Sequence, residues 1–239
     1  MRNLKLTIEF DGAGFFGWQF QPDRNTVQAA VQDAVAEISG ERLTVYGCSR
    51  TDAGVSARNY VANFHTGSGM KPERMRQALN FHLPKEVHVK AVEDVGPEFH
   101  ARFSARSKKY EYRMVRGRSP LRHARAWELR RPVDAARMRK ALALFEGTRD
   151  FRPFCATTDS SGRCTVMKAE MAEAADELVL TIQGDRFLYK MVRRIAGAVA
   201  SYGSGRVTLS DLRAALAGRK HRPYRTAPAA GLVLDSVQY

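Results

Sequence analysis

The chain has 239 residues, of which 44% are hydrophobic and 27% are charged, and its formal net charge is +14. This length allows one large domain or two domains of about 120 residues, either of which can bury a substantial core. The composition excludes an intrinsically disordered chain, which would contain fewer hydrophobic residues. The excess of positive charge favours a nucleic acid or an anionic membrane as the partner.

The membrane is the weaker of these two interpretations. No segment approaches about 18 consecutive apolar residues, and the N-terminus lacks the hydrophobic core of a signal peptide. The three cysteines, Cys48, Cys155 and Cys164, do not have the spacing of a CxxC motif or a metal site. We therefore interpret them as reduced thiols and expect a cytoplasmic protein that uses neither a metal nor a cofactor.

The first hundred residues predict the element order β-α-β-β-α-β. Apolar and polar residues alternate over residues 4–10, as in a half-buried strand. Apolar residues then recur at helical spacing over residues 27–38, with Asn25 or Thr26 as the cap and Gly40 at the end. The remaining predicted elements are strands at residues 43–47 and 60–65, a helix at residues 72–82 and a strand at residues 87–91.

The second half repeats this order with different residues. Its predicted elements are a strand at 108–115, a helix at 134–146, a hairpin at 164–171 and 177–183, a long helix at 187–202, a short helix at 210–217 and a strand at 231–237. The sequence thus predicts an α+β fold of two ferredoxin-like halves, residues 1–100 and 101–239. We expect them to form a mainly antiparallel sheet with helices on one face and a cleft between the halves.

Positive charge is concentrated in two segments. Residues 101–131 contain eleven lysines and arginines and two glutamates, and residues 219–225 contain a second basic cluster. Aromatic residues are interleaved with both segments, which favours contact with RNA or DNA over a surface that serves only solubility. The basic residues predicted to contact RNA are Arg106, Lys108, Lys109, Arg116, Arg118, Arg219, Lys220 and Arg222.

Tandem units of this topology suit either a pair of RNA-recognition modules or an enzyme. The RNA-recognition signature requires a basic residue and a glycine ahead of aromatic residues on the third strand. The nearest segment, Arg58–Phe64, lacks the glycine. The pattern weakens the module interpretation without excluding it.

One carboxylate is conspicuous in this basic chain. Asp52 lies in the segment Arg50–Val55, where Gly54 permits a sharp bend and Arg50 can help to keep the carboxylate ionised. A negative charge on a surface that binds a polyanion weakens binding. Its presence there is therefore expected only if it takes part in chemistry. The alternatives are an ordinary surface turn, or a metal-dependent nuclease in which Asp11 and Asp185 join Asp52.

Short motifs occur in a fixed order along the whole chain. They are Asp11-Gly12, Phe16-Gly17-Trp18-Gln19, Thr26-Val27-Gln28, Arg50-Thr51-Asp52-Ala53-Gly54-Val55, Ala78-Leu79-Asn80, His82-Leu83-Pro84, Phe99-His100-Ala101-Arg102-Phe103-Ser104-Ala105, Lys109-Tyr110, Met191-Val192-Arg193, Thr226-Ala227-Pro228 and Gly231-Leu232. In order and spacing they resemble the TruA-type tRNA pseudouridine synthases from end to end. The chain departs from the family pattern at Ser49, where glycine is usual, and at Ser56, where histidine is usual.

The resemblance implies an isomerase that converts uridine to pseudouridine in the anticodon stem-loop of tRNA, at positions 38, 39 and 40. It implies that Asp52 is the nucleophile and that Arg50 occupies the space left by the flipped base. It also implies that Tyr110 packs against the target ring and removes the final proton, and that Arg193 pairs with Asp52 across the two halves. Members of the family act as homodimers, so we expect a homodimer here.

Overall fold

The computed structural model describes residues 1–157 and 161–239. Its strands are β1 (Arg2–Phe10), β2 (Tyr46–Gly47), β3 (Ser56–Thr66), β4 (Val87–Val95), β5 (Ser107–Arg116), β6 (Trp127–Leu129), β7 (Gly147–Asp150), β8 (Arg163–Ala174), β9 (Glu177–Gly184) and β10 (Leu232–Gln238). Its helices are α1 (Val27–Ser39), α2 (Pro72–His82), α3 (Ala135–Leu142), α4 (Met191–Gly203) and α5 (Leu209–Leu216). None of these helices is long and apolar enough to cross a membrane. The mixture of helices and mainly antiparallel strands confirms the predicted α+β class.

The chain folds into two compact units. The first contains residues 1–106 and 233–239, and the second contains residues 107–232. The sequence-based division instead fell after residue 100 and assigned the C-terminal strand to the second half. In the structure, hydrogen bonds tie the C-terminal residues to the first unit: the Arg106 N–H donates to the Gln238 carbonyl at 2.8 Å, and the Tyr239 hydroxyl donates to the Ala101 carbonyl at 2.7 Å.

The first unit has the predicted β-α-β-β-α-β order. Its antiparallel strands lie in the order β4-β1-β3-β2, and β10 pairs in parallel with the start of β3. Helix α1 begins after Thr26, whose side chain accepts the Ala29 N–H, and ends at Gly40, which has a left-handed backbone. The alternating residues of β1 are buried as predicted, with Leu4, Leu6 and Ile8 fully inaccessible to solvent. The connection between β2 and β3 contains the segment around Asp52.

The second unit is organised around β5 and helix α4. Strands β5, β9, β8 and β7 are antiparallel neighbours in that order, and β6 pairs in parallel with β5. Helix α4 is buried over most of its length. A Cβ on Gly197 would overlap the carbonyl oxygen of Arg225, so only glycine allows residues 225–227 to lie directly against this helix.

Some elements differ from the sequence-based prediction. The long helix begins at Met191 and not at residue 187, because Lys190 has a left-handed backbone with a φ of 60° and the Met191 N–H closes a turn on the Leu188 carbonyl. The helix predicted at 134–146 ends at Leu142, and the residues that follow form a short 3-10 turn. Strands β6 and β7 were not predicted, since three or four residues are too few to show alternation.

Candidate active site

Asp52 lies in the loop that connects β2 to β3. The Val55 N–H donates to the Asp52 carbonyl at 3.1 Å, which closes a turn, and Gly54 takes a left-handed conformation with a φ of 80°. The side chain of Asp52 is half-buried, that of Arg50 is exposed and that of Thr51 is buried. The predicted bend is therefore present, and it leaves the carboxylate partly accessible.

A glycine-containing bend at residues 12–17 packs against the backbone of this loop. The Trp18 N–H donates to the Thr51 carbonyl at 3.3 Å, and the Gly54 N–H donates to the Phe15 carbonyl at 3.2 Å. A Cβ on Gly17, whose φ is 87°, would overlap the Thr51 carbonyl oxygen. A Cβ on Gly12 would likewise overlap the carbonyl of Val55. The two backbones are thus in direct contact, which fixes the position of the residues on either side of Asp52.

The two serines that depart from the family pattern both take part in this framework. The Ser56 hydroxyl accepts the Gly12 N–H at 3.0 Å, so it links the end of the loop to the bend. The Ser49 carbonyl accepts a hydrogen bond from the Tyr60 hydroxyl. The Tyr60 ring in turn stacks on Trp18, with centroids 4.1 Å apart. Both ends of the Asp52 loop are therefore held by residues of the first unit.

Thr51 is a residue of this loop that the sequence analysis did not single out. Its hydroxyl is buried and has no hydrogen-bond partner among the residues that the structure describes. An unpaired buried hydroxyl costs about 1–3 kcal/mol, so the loop carries unused hydrogen-bonding capacity next to Asp52. No periodic pattern marks such a residue in the sequence, and only the folded structure reveals it.

Tyr110 lies on β5 in the second unit. It is 5% exposed, and its ring meets Phe187 edge-on at a centroid distance of 5.0 Å. Tyr112, two residues further on, is fully buried and donates its hydroxyl to the Pro228 carbonyl at 2.8 Å. Burial raises the pKa of Tyr112 far above its usual value, so this hydroxyl keeps its proton. One face of β5 is therefore buried.

Arg193 and Arg194 lie side by side at the start of α4 but bind different segments. The Arg193 Nε donates to the Ala227 carbonyl at 2.8 Å, and the Ala227 N–H donates to the Arg193 carbonyl at 3.1 Å. The Arg194 guanidinium instead donates to the carbonyls of Pro153 and Cys155. The Thr226-Ala227-Pro228 motif thus holds both the backbone and the side chain of Arg193.

The eight basic residues predicted to contact RNA differ in exposure. Lys108 is only 8% exposed. Arg116 is half-buried and donates to Glu173, which lowers the pKa of that carboxyl. Lys109 is also half-buried. The exposed members of the set are Arg106, Arg118, Arg219, Lys220 and Arg222. These five are the ones whose charge is most accessible to an external ligand.

The carboxylates considered for a metal site have local partners. Asp11 accepts the Ala13 N–H at 3.1 Å, and Asp185 accepts the N–H groups of Thr165 and Arg186 at 2.8 and 2.6 Å. Within residues 1–157 and 161–239, no three histidine, cysteine, aspartate or glutamate side chains form a group able to hold a metal ion.

Comparisons with known proteins agree with the motifs. Residues 6–104 and 141–239 match the family described as tRNA pseudouridine synthase. The tRNA pseudouridine synthase A of Geobacter sp. (strain M21) is 39% identical over 246 aligned residues, which cover all of this chain and 99% of the relative. The protein of the same name from Acetivibrio thermocellus is 38% identical over 245 residues, which cover both chains completely.

A solved structure, that of the archaeal box H/ACA sRNP Nop10-Cbf5 complex, is more distant. It is 12% identical, with a TM-score of 0.38, and the alignment covers 82% of this chain and 53% of that one. The full-length relatives and the family match decide the assignment without it. Together they confirm the resemblance seen in the sequence: the chain belongs to the tRNA pseudouridine synthase family.

Proposed function

We propose that this isomerase acts on the anticodon stem-loop of tRNA, at uridines 38, 39 and 40, with Asp52 as its nucleophile. The observation that carries this proposal is the setting of Asp52. A half-buried carboxylate lies on a loop whose neighbouring carbonyl and N–H groups are bonded to a glycine bend, in a chain of net charge +14. Such a carboxylate is both oriented and accessible, as a nucleophile must be.

The chemistry needs only one such group. The bond between ribose C1′ and uracil N1 breaks, the base turns, and uracil C5 joins C1′. C5 loses a proton and N1 gains one, so atoms and electrons balance without a redox step. Asp52 can attack either C1′ or uracil C6 in this scheme. The target base must leave its stack to reach the carboxylate, and contacts to the RNA backbone offset the energy of unstacking.

Three further residues take the roles that the resemblance implies. Arg50 occupies the space that the flipped base leaves, which its exposed position in the loop allows. Tyr110 stacks on the uracil ring and accepts the proton from C5. Arg193 is a positioning residue, and its two hydrogen bonds with Ala227 restrict its own position.

The protein is further proposed to be a cytoplasmic homodimer. Its three cysteines are buried and form no disulfide, and burial raises the pKa of Cys164 to about 11, so this thiol is unreactive at neutral pH. Unreactive reduced thiols suit a reducing compartment. The homodimer rests on the family resemblance.

The direct test is to incubate unmodified tRNA with the purified protein and map pseudouridine along the RNA. We expect new pseudouridine at positions 38, 39 or 40 in tRNAs that have uridine there. Tight binding of tRNA that is never altered would contradict the proposal and favour an RNA-recognition protein.

Replacement of Gly17 by alanine tests whether the glycine bend positions Asp52. A left-handed backbone costs a non-glycine residue about 1–3 kcal/mol, and the added Cβ would also push on the Thr51 carbonyl. A displacement of the loop by about 1 Å can lower the rate about 100-fold. We therefore expect a lower melting temperature and, at a temperature where the variant is folded, a rate reduced by about two orders of magnitude.

Gly14→Ala is the matched control for this variant. Gly14 lies in the same bend, but a Cβ there would meet no atom within 4 Å, and its φ is not positive. Stability and rate should stay close to those of the native protein. If Gly17→Ala behaved like this control, the bend would not be what holds the loop.

Removal of metal ions should leave the isomerisation intact. A carboxylate nucleophile needs no metal, so excess chelator in moderate monovalent salt should not change the rate. The tRNA must be folded beforehand, because magnesium also stabilises the substrate. Strand cleavage that depended on a metal ion would instead assign the protein to the nucleases.

A further inference from the structure

The second unit contains a recess of about 600 Å³ that no proposed role so far uses. Its walls are β6 and the residues after it, the C-terminal part of α4, and the segment 225–230. Four arginines line it: Arg130, Arg131, Arg206 and Arg225. Trp127, which is half-buried, also faces the recess.

Most of the positive charge of this recess is not neutralised by the described residues. In the described part of the chain, none of the four arginines forms an ion pair. The recess has one carboxylate, Glu128, which accepts the Ser119 N–H at 2.9 Å. Four like charges around one cavity repel each other, so an anionic ligand would be stabilised there.

Other arginines of the second unit differ sharply from these four. Arg113 bonds to Glu111 and Glu177, Arg122 bonds to Asp176, and Arg139 bonds to Glu173. Their charges are satisfied within the protein and are less available to a ligand. Arg113, Arg122 and Arg139 therefore form a neutralised set, whereas the four arginines that line the recess are unneutralised.

We propose that this recess binds phosphate groups of the tRNA backbone, with Trp127 available to stack on an adjacent base. The proposal rests on tRNA being the substrate and adds a contact site to those predicted from the sequence. Guanidinium groups suit this ligand because their planar forks bind phosphate oxygens in pairs. A cavity of this size admits a phosphate with its sugar, and an aromatic wall suits an unstacked base.

One wall of the recess is formed by the segment 225–228, which also binds Arg193. Arg225 and Pro228 line it, and Ala227 between them exchanges hydrogen bonds with Arg193. A phosphate bound to Arg225 would therefore restrain the segment that fixes Arg193.

The experiment compares two triple variants with equal loss of charge. Arg130→Gln, Arg131→Gln and Arg206→Gln remove three of the four positive charges of the recess but leave Arg225 and its contact with α4 in place. Arg113→Gln, Arg122→Gln and Arg139→Gln remove three arginines of the neutralised set. For each protein, the dissociation constant for unmodified tRNA is measured over a range of salt concentrations, and thermal unfolding checks that both triples are folded.

Neutralising one arginine that binds a phosphate should flatten the slope of log affinity against log salt by roughly 0.7 to 0.9. The recess triple should therefore have a slope that is shallower by about 2 to 3, and its KM should rise while kcat at saturating tRNA is retained. The control triple should keep the native slope. Should the recess triple fail to fold, Arg131→Gln and Arg206→Gln alone should each flatten the slope by the amount expected for one arginine.

Two results would overturn the proposal. One is a native slope in the recess triple, and the other is equal flattening in both triples, which would mean that only total charge matters. Either result leaves pseudouridine formation by the native protein unaffected. Failure of the native protein to form pseudouridine would instead refute the proposed function, while the slopes would still decide whether the recess binds RNA.

Discussion

Replacement of Asp52 by asparagine is expected to abolish pseudouridine formation while tRNA still binds. The asparagine amide has almost the same shape as the carboxylate but is not a competent nucleophile. Loss of a catalytic nucleophile lowers rates by about four orders of magnitude or more. Binding should be equal or tighter, since one negative charge is removed from a protein that binds a polyanion. Single-turnover conversion and a binding titration on the same tRNA measure the two effects separately.

Asp33→Asn is the matched control. Asp33 lies on the exposed surface of α1, 59% accessible and paired with Arg42, and its replacement changes the net charge by the same amount. This variant should isomerise tRNA at the native rate. Substantial turnover by Asp52→Asn would refute the assignment of the nucleophile. Equal loss in both variants would point to charge or stability and not to chemistry.

The sequence predicts best where local rules decide the structure. Helix α2 has the predicted bounds because Pro72 fixes its first turn and no competing signal interrupts its pattern. Helix α1 follows its cap at Thr26 and its stop at Gly40 in the same way. The family motifs also locate the Asp52 loop, since its bend depends on a glycine within the motif itself.

The burial of Lys108 follows from its position in strand β5. Lys108, Tyr110, Tyr112 and Met114 occupy alternate positions of one strand, and all four are buried. Alternate residues of a strand share one face, so the face that buries the two tyrosines buries Lys108 as well. Composition alone groups Lys108 with the exposed basic residues of its segment.

Other features depend on contacts that no local pattern encodes. The role of Gly17 comes from its distance to the Thr51 carbonyl, 34 positions away in the chain. Arg122 is paired with Asp176, whereas Arg130 has no ion pair in the described residues, and this difference depends on loop segments that meet only after folding. Long-range packing of this kind decides which of several similar residues is available for function.

Tyr110→Phe is expected to slow isomerisation by about two to four orders of magnitude, the usual contribution of a general base. The phenylalanine ring keeps the edge-on contact with Phe187 and can still stack on uracil. The variant should therefore fold and bind tRNA almost normally. Rates are compared at saturating tRNA, with the melting temperature measured in parallel.

The competing explanation is that Tyr110 is only a core residue of β5, and two controls separate the alternatives. Tyr202 is another buried tyrosine; it lies on helix α4, and the Arg137 guanidinium of helix α3 lies over its ring. Tyr202→Phe removes the hydroxyl and should leave the rate unchanged. Tyr112→Phe removes the hydrogen bond to Pro228 and should cost about 1 kcal/mol of stability with a mild effect on the rate.

A core tyrosine at position 110 would behave like these two variants, because its hydroxyl would contribute to stability alone. A rate that collapses only in Tyr110→Phe, while its melting temperature stays close to that of the native protein, assigns the final proton transfer to this hydroxyl. Equal and mild effects in all three variants would show that Tyr110 is only a core residue, and a different group would have to accept the proton.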